Sequence, residues 1–263
     1  MKNKRKQAVT ILVTLVLIAG LSVLGWRLYE RTRGMSDYDD AQNIAGVTSS
    51  EPPAPPPPEE VEEPKDPCAL ALLGTDLAAL REVNEDVIGW IEIPDTELSY
   101  PLLKGEDNQY YLTHTWNKER NAMGSVFMEC TNQPDFSQFN TILYAHRMNN
   151  DTMFGTLKYY DDLEFWKEHP KVYIVTDAGV RIYDIFAAYQ VGVRDIIYRL
   201  DLEKSELQSD FIDFCLENSV IDTELVPQPE DSFLTLSTCI DSYSQSDYRW
   251  VVLAVLEDIV TEE

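Results

Sequence analysis

Eight short runs rich in β-branched and aromatic residues punctuate the chain from residue 87 onward, several of them alternating apolar with polar positions. They are VIGWIEI (87–93), LSYPLL (98–103), GSVFME (124–129), TILYA (141–145), KVYIVT (171–176), VRIYDIFAAYQV (180–191), SFLTLSTC (232–239) and YRWVVLAVLE (248–257). Successive side chains of a strand point to opposite faces, so runs of this kind separated by turn residues predict strands. Eight together predict an antiparallel barrel or sandwich. Helical spacing appears in three other places. CALALLGTDLAALREVN (68–84) predicts one or two short helices through Leu72, Leu77, Leu80 and Val83. TMFGTLKYYDDLEFWKEH (152–169) and EKSELQSDFIDFCLENS (203–219) interrupt the strands, and the latter puts Cys215 on its packed face with Phe211 and Ile212.

The first third has a different pattern. Residues 8–26, AVTILVTLVLIAGLSVLGW, are nineteen residues without a charge, about enough for a helix to cross a ~30 Å hydrocarbon core. Lys2, Lys4, Arg5 and Lys6 precede the stretch and Arg27, Arg31 and Arg33 follow it, which favours a cytoplasmic N-terminus by a small margin. A cleaved signal peptide is the competing reading. The stretch is longer than a typical apolar region of such a peptide, and no A-x-A site closes it. Residues 27–67 are expected to connect the anchor to the remainder. From residue 34 onward they hold eight of the fourteen prolines and nine acids against one lysine. That composition predicts an extended, mobile spacer. The expected layout is a cytoplasmic tail (1–7), an anchor (8–26), an extracellular linker (27–67) and a folded domain (68–263) outside the membrane.

Charge narrows the partners. The chain carries a net charge of −25, and without residues 1–33 fourteen basic residues face forty-five acidic ones. Nucleic acid is not expected as a partner, since binding it normally calls for a basic face. Four cysteines without a C-x-x-C pair, and three histidines, argue against structural zinc. Neither a metal nor a cofactor is expected.

The candidate chemistry gathers at TLSTC (235–239). Alternation puts Thr235, Ser237 and Cys239 on one face, with Leu234 and Leu236 on the other. The following strand would return antiparallel and bring Arg249 beside Cys239. A neighbouring cation favours the thiolate, and a guanidinium can donate hydrogen bonds to an oxyanion formed at a carbonyl. A group is then needed to protonate the leaving amine. His146, closing a β-type run with Ile142 and Tyr144 on its face, suits that role. His114 is expected to pack at a loop edge, and His169 to be a turn residue. If Cys239 stays free, at most one disulfide forms among Cys68, Cys130 and Cys215. Taken alone, a separated Cys, His and Arg are equally open to a hydrolase or to a binding module with a structural cysteine.

Several motifs together resemble the class B sortases, membrane-anchored cysteine transpeptidases of Gram-positive bacteria. TLSTC with Arg249 resembles their nucleophile strand and arginine, and LYAHRM (143–148) their histidine motif. NEDVIGWIEIPDTELSYPLLKGEDNQYYL (84–112) and GSVFME are similar to their opening strands, and MFGTL (153–157) to the segment after the histidine. The resemblance runs in order through most of residues 75–257. It implies a mostly β fold: a closed eight-stranded sortase-type barrel with N-terminal helices and a helix, 203–219, inserted between late strands. It also implies that Cys239 attacks the Thr carbonyl of a sorting-signal pentapeptide to form a thioester. His146 would act as acid and then base, and Arg249 as oxyanion clamp. Asn108, Leu112 and Ser237 would line the substrate groove, and Tyr144 would either join them or simply pack. The implied acceptor is an amine of lipid II or peptidoglycan, or a pilin lysine in the polymerase variant. Ala145 stands where the family motif carries glycine. The glutamate-rich calcium loop of some class A sortases has no counterpart here.

Overall fold

The computed structural model describes residues 2–47, 66–202, 205–239 and 247–261. Helix α1 (Lys2–Ala45) opens the chain. It is long and apolar enough to cross a membrane, and Leu15, Leu17, Leu21 and Trp26 are each more than half exposed. The helix continues well past residue 34, where composition predicts a spacer to begin. The reason is local: Tyr38, Ala41 and Ala45 recur at helical spacing and are all buried, while the prolines start only at Pro52. Gly46, at φ +70°, terminates the helix in a left-handed conformation that suits glycine.

Two short helices follow. In α2 (Pro67–Leu72) the Asp66 carboxylate accepts from the N–H groups of Cys68 and Ala69, and proline occupies the first turn. In α3 (Leu77–Val83) Asp76 accepts from Ala79 N at 2.9 Å. Arg81 fastens α3 to the first strand, its Nε donating to Val87 O at 2.8 Å.

The strands are β1 (Val87–Glu92), β2 (Ser99–Leu103), β3 (Val126–Met128), β4 (Asn140–Tyr144), β5 (Lys171–Thr176), β6 (Gly179–Gly192), β7 (Phe233–Cys239) and β8 (Tyr248–Val260). They close into a barrel in the order β1-β2-β3-β4-β7-β8-β6-β5. Two neighbouring pairs, β2–β3 and β4–β7, are parallel, where the strand pattern alone predicts antiparallel neighbours. Alternation has the same period in either direction, so it carries no information about polarity. The long connection 104–125 permits what a hairpin would not.

Trp90, Phe127, Leu143, Ile174, Leu234, Leu236 and Val252 belong to one buried cluster that extends to Leu77 and Leu80 of α3. A second cluster forms where helix α5 (Ser205–Asn218) covers the sheet: Phe211, Ile212 and Cys215 meet Phe186, Phe233, Val251 and Leu253. The Phe233 ring lies 5.3 Å from Phe211 and 5.8 Å from Phe186. Strand β7 is therefore buried on both faces, and its polar residues need partners there. Thr235 Oγ1 donates to Asn140 Oδ1 at 2.9 Å, and the same Asn140 donates to Ile197 O at 3.0 Å. The predicted helix 152–169 divides into a 3-10 turn (Thr156–Asp161) and α4 (Leu163–Glu168), because Asp162 caps α4 through Glu164 N at 3.0 Å.

Candidate active site

Strand polarity determines where the candidate residues meet. Parallel pairing sends the C-terminal ends of β4 and β7 to the same edge of the barrel, and antiparallel β8 begins at that edge. Tyr144 pairs with Ser237. His146 and Cys239 each follow two residues later on their own chains. Cys239 pairs with Arg249, the second residue of β8. Three separate stretches of chain thus bring residues Cys239, His146 and Arg249 to one end of the barrel.

The half-buried His146 ring is held by one strong bond. Nε2 lies 2.7 Å from the Leu112 carbonyl. A carbonyl oxygen only accepts, so Nε2 carries the hydrogen and Nδ1 is the nitrogen left for proton transfer. Gly124 lies against this pair at φ +62°. A Cβ there would fall 2.6 Å from Tyr111 O, 2.9 Å from Leu112 O and 3.1 Å from His146 Cδ2. The position requires glycine both for conformation and for space. Arg249 donates from Nη1 to Tyr248 O at 2.9 Å.

The expected groove residues divide between two networks. Asn108 Nδ2 donates to Glu129 Oε2 at 2.6 Å, and Asn108 Oδ1 accepts from Cys130 N at 2.8 Å, which fixes the orientation of the amide. Tyr144 OH donates to the same Glu129 oxygen at 3.1 Å. Thr131 supplies Oγ1 at 3.1 Å and its N–H at 3.3 Å to the other oxygen. Burial alone would raise the Glu129 carboxyl, but donors from Thr131, Cys130, Asn108 and Tyr144 outweigh it and hold the group below its ordinary value. Burial, reinforced by that carboxylate, pushes the Tyr144 phenol upward and keeps it a donor. Ser237 belongs to the second network, its Oγ 2.8 Å from Tyr198 OH. Leu112 enters through its carbonyl as well as its half-buried side chain.

Glu129 and Tyr198 were not among the residues the sequence singles out. Glu129 offers one faint signal, an acid closing an apolar strand run, whereas Tyr198 sits in a short 3-10 turn (Ile196–Tyr198) that no pattern marks. The other two histidines are occupied elsewhere, His114 by its own loop and His169 by a long-range bond. His114 stacks on Tyr110 with 4.0 Å between ring centroids, and His169 Nδ1 donates to Pro94 O at 3.0 Å. Among the described residues, Cys68, Cys130 and Cys215 are free thiols. Burial pushes Cys215 up to about 12 despite the Tyr189 hydroxyl at 3.2 Å. A cleft of about 1000 Å³, lined in part by Cys68, Glu92, Asp95 and Tyr159, contains none of the six candidates whose side chains are described.

The eight-stranded barrel with a helix ahead of β7 shares its fold with solved sortase structures. The Sortase domain family model matches residues 91–257, and the chain belongs to that family. It is 34% identical to sortase B of Staphylococcus aureus over 176 residues, 67% of this chain and 72% of the relative. To sortase B of Listeria monocytogenes it is 28% identical over 256 residues, 95% and 96% of the two chains. The solved Staphylococcus aureus sortase B–substrate complex superimposes with a TM-score of 0.66 at 33% identity, covering 70% of this chain and 85% of that one. The chain is a sortase B-type cysteine transpeptidase.

Proposed function

We propose that the enzyme cleaves a C-terminal sorting signal of secreted proteins and transfers the acyl group to an amine of a cell-wall precursor. Cys239 is the nucleophile, His146 the acid and base, and Arg249 the oxyanion donor. The thiolate attacks the scissile carbonyl, a C–S bond forms, and negative charge moves onto the oxygen, where the guanidinium donates hydrogen bonds. As the C–N bond breaks, His146 delivers a proton to the leaving amine from Nδ1, with Nε2–H held on Leu112 O. In the second half an acceptor amine loses its proton to His146 while attacking the thioester, and the thiolate returns. Asn108, Leu112, Ser237 and Tyr144 line the peptide groove. The observation that carries the reading is the Cys239–Arg249 pairing at the edge where β4 also ends. We further place residues 8–26 in the membrane with the N-terminus cytoplasmic, so that the barrel meets its substrates outside.

The test uses the full chain in detergent micelles with a library of sorting-signal pentapeptides, read by intact mass. A Cys239 thioester that an added amine clears supports the reading. Hydrolysis with abundant amine present would make the enzyme a peptidase, and transfer only to a protein lysine would make it a pilin polymerase. No adduct from any peptide, with Cys239→Ala behaving like the parent, would overturn the assignment.

A further inference from the structure

We propose that α1, the helix bearing the apolar N-terminal stretch, positions the imidazole of His146 through Tyr38. This rests on the reading of His146 as the acid–base residue. Tyr38 is buried near the end of α1, and its hydroxyl donates to the Gly124 carbonyl at 2.5 Å and lies 3.1 Å from Ser125 Oγ. The Tyr38 ring is fixed edge-on against Tyr100, 5.1 Å between centroids. Ser125 closes the loop on itself, with Oγ donating to His114 O at 2.8 Å and N–H to Tyr111 O at 2.9 Å. Leu112 lies inside the loop thus closed. Gly124 packs flat against the Leu112 carbonyl and the His146 ring, leaving no room for a methyl group. The Tyr38 hydroxyl, Gly124, the Leu112 carbonyl and the imidazole therefore form one unbroken series of contacts.

The same helix grips this loop at further points. Arg33 pairs with Glu119 at 2.9 Å, the Glu30 carbonyl accepts from Asn121 Nδ2 at 2.9 Å, and the Asp37 carboxylate accepts from Thr115 Oγ1 at 3.3 Å. The Asp37 carbonyl accepts from Trp116 Nε1 at 2.5 Å. One bond to Leu112 O sets both the tilt and the tautomer of the imidazole, so a small shift of that carbonyl misdirects Nδ1. The helix is thereby a positioning element for the chemistry as well as an anchor.

The experiment is Tyr38→Phe in the full chain, which removes only the hydroxyl. With the peptide selected above, kcat should fall about tenfold at unchanged KM. ¹⁵N NMR of the His146 ring should change from the Nε2–H tautomer to a mixture. Gln42→Ala is the control, because it cuts α1's bond to Ser99 O on β2 (3.2 Å) and leaves the loop contacts intact. Parental kcat and tautomer in Tyr38→Phe, or an equal loss in Gln42→Ala, would overturn the proposal. Should Tyr38→Phe fail to fold, Ser125→Ala decides by the same two readouts, with parental values again overturning it. His146→Ala run alongside separates the two levels. Full activity there removes the acid–base reading and this inference with it, whereas an inactive His146→Ala beside an unaffected Tyr38→Phe removes the inference alone.

Discussion

Cys239 and Arg249 are paired across the β7–β8 ladder, one ending its strand and the other standing second in its neighbour. Backbone pairing between the two strands fixes this register. Arg249→Ala should lower the rate of thioester formation by about 10²–10³-fold, the usual loss for one oxyanion donor. Arg249→Lys should recover only part of it, since an ammonium lacks the planar fork. Rapid-quench measurement of the acyl-enzyme checks both; a lysine variant as fast as the parent would show that charge alone suffices.

Gly124→Ala tests how tightly the imidazole is enclosed. The new methyl group would clash with two carbonyls and the ring at a left-handed φ. A destabilisation of about 2 kcal/mol or more is expected from strain and overpacking, read by urea unfolding. Activity should fall further than stability explains when both are measured well below the melting temperature.

Glu129 makes its hydrogen-bond network with Asn108, Tyr144 and Thr131 sensitive to acid. Its carboxyl is held below the ordinary glutamate value of 4.5 in the folded chain, so ionised Glu129 stabilises the native state at neutral pH. That contribution is complete above about 4.5 and disappears as pH falls through the folded value. The melting-temperature gap between the parent and Glu129→Gln should therefore narrow from about pH 7 to about pH 3. A gap that stays constant across that range rejects the idea. The glutamine variant should also raise KM for the peptide, because Asn108 and Tyr144 lose a shared acceptor.

Thiol chemistry should separate the cysteines. With Cys215 pushed up to about 12 and fully buried, only about 10⁻⁴ of it is thiolate at pH 8. Brief iodoacetamide treatment of the native protein should leave Cys215 unmodified, and denaturant should expose it. Peptide mapping before and after unfolding gives the answer. Rapid native labelling of Cys215 would mean that α5 opens on the timescale of the reaction.

Much of this architecture was legible from the chain. All eight strands lie within three residues of the predicted runs, because short stretches rich in β-branched and aromatic residues, bounded by turn residues, mark strands whether one face is buried or both. The seating of Cys215 and the Leu234/Leu236 face were legible from the same kind of periodicity. Strand polarity was not, since period two is blind to direction, and the parallel β4–β7 pair that brings His146 to the site was hidden for that reason. Glu129 and Tyr198 were invisible because their roles arise from long-range contacts with Asn108, Tyr144 and Ser237. The docked end of α1 was missed because its acidic residues and the nearby prolines overshadowed the three-residue stripe of Tyr38, Ala41 and Ala45.

That docking alters the enzyme's reach. Ala45, which closes α1, and Asp66, which caps α2, lie on either side of the proline-rich stretch and are seated on the same body: Ala45 O accepts from Asp76 N at 3.0 Å, and Asp66 accepts from Tyr173 OH at 2.9 Å. The prolines therefore do not separate the barrel from residues 8–26. Only about three residues of helix, roughly 5 Å at ~1.5 Å per residue, lie between Trp26 and the first grip at Glu30. A leash lets an enzyme sweep a volume, whereas a helix gripped from Glu30 onward holds the barrel at a fixed distance from residues 8–26.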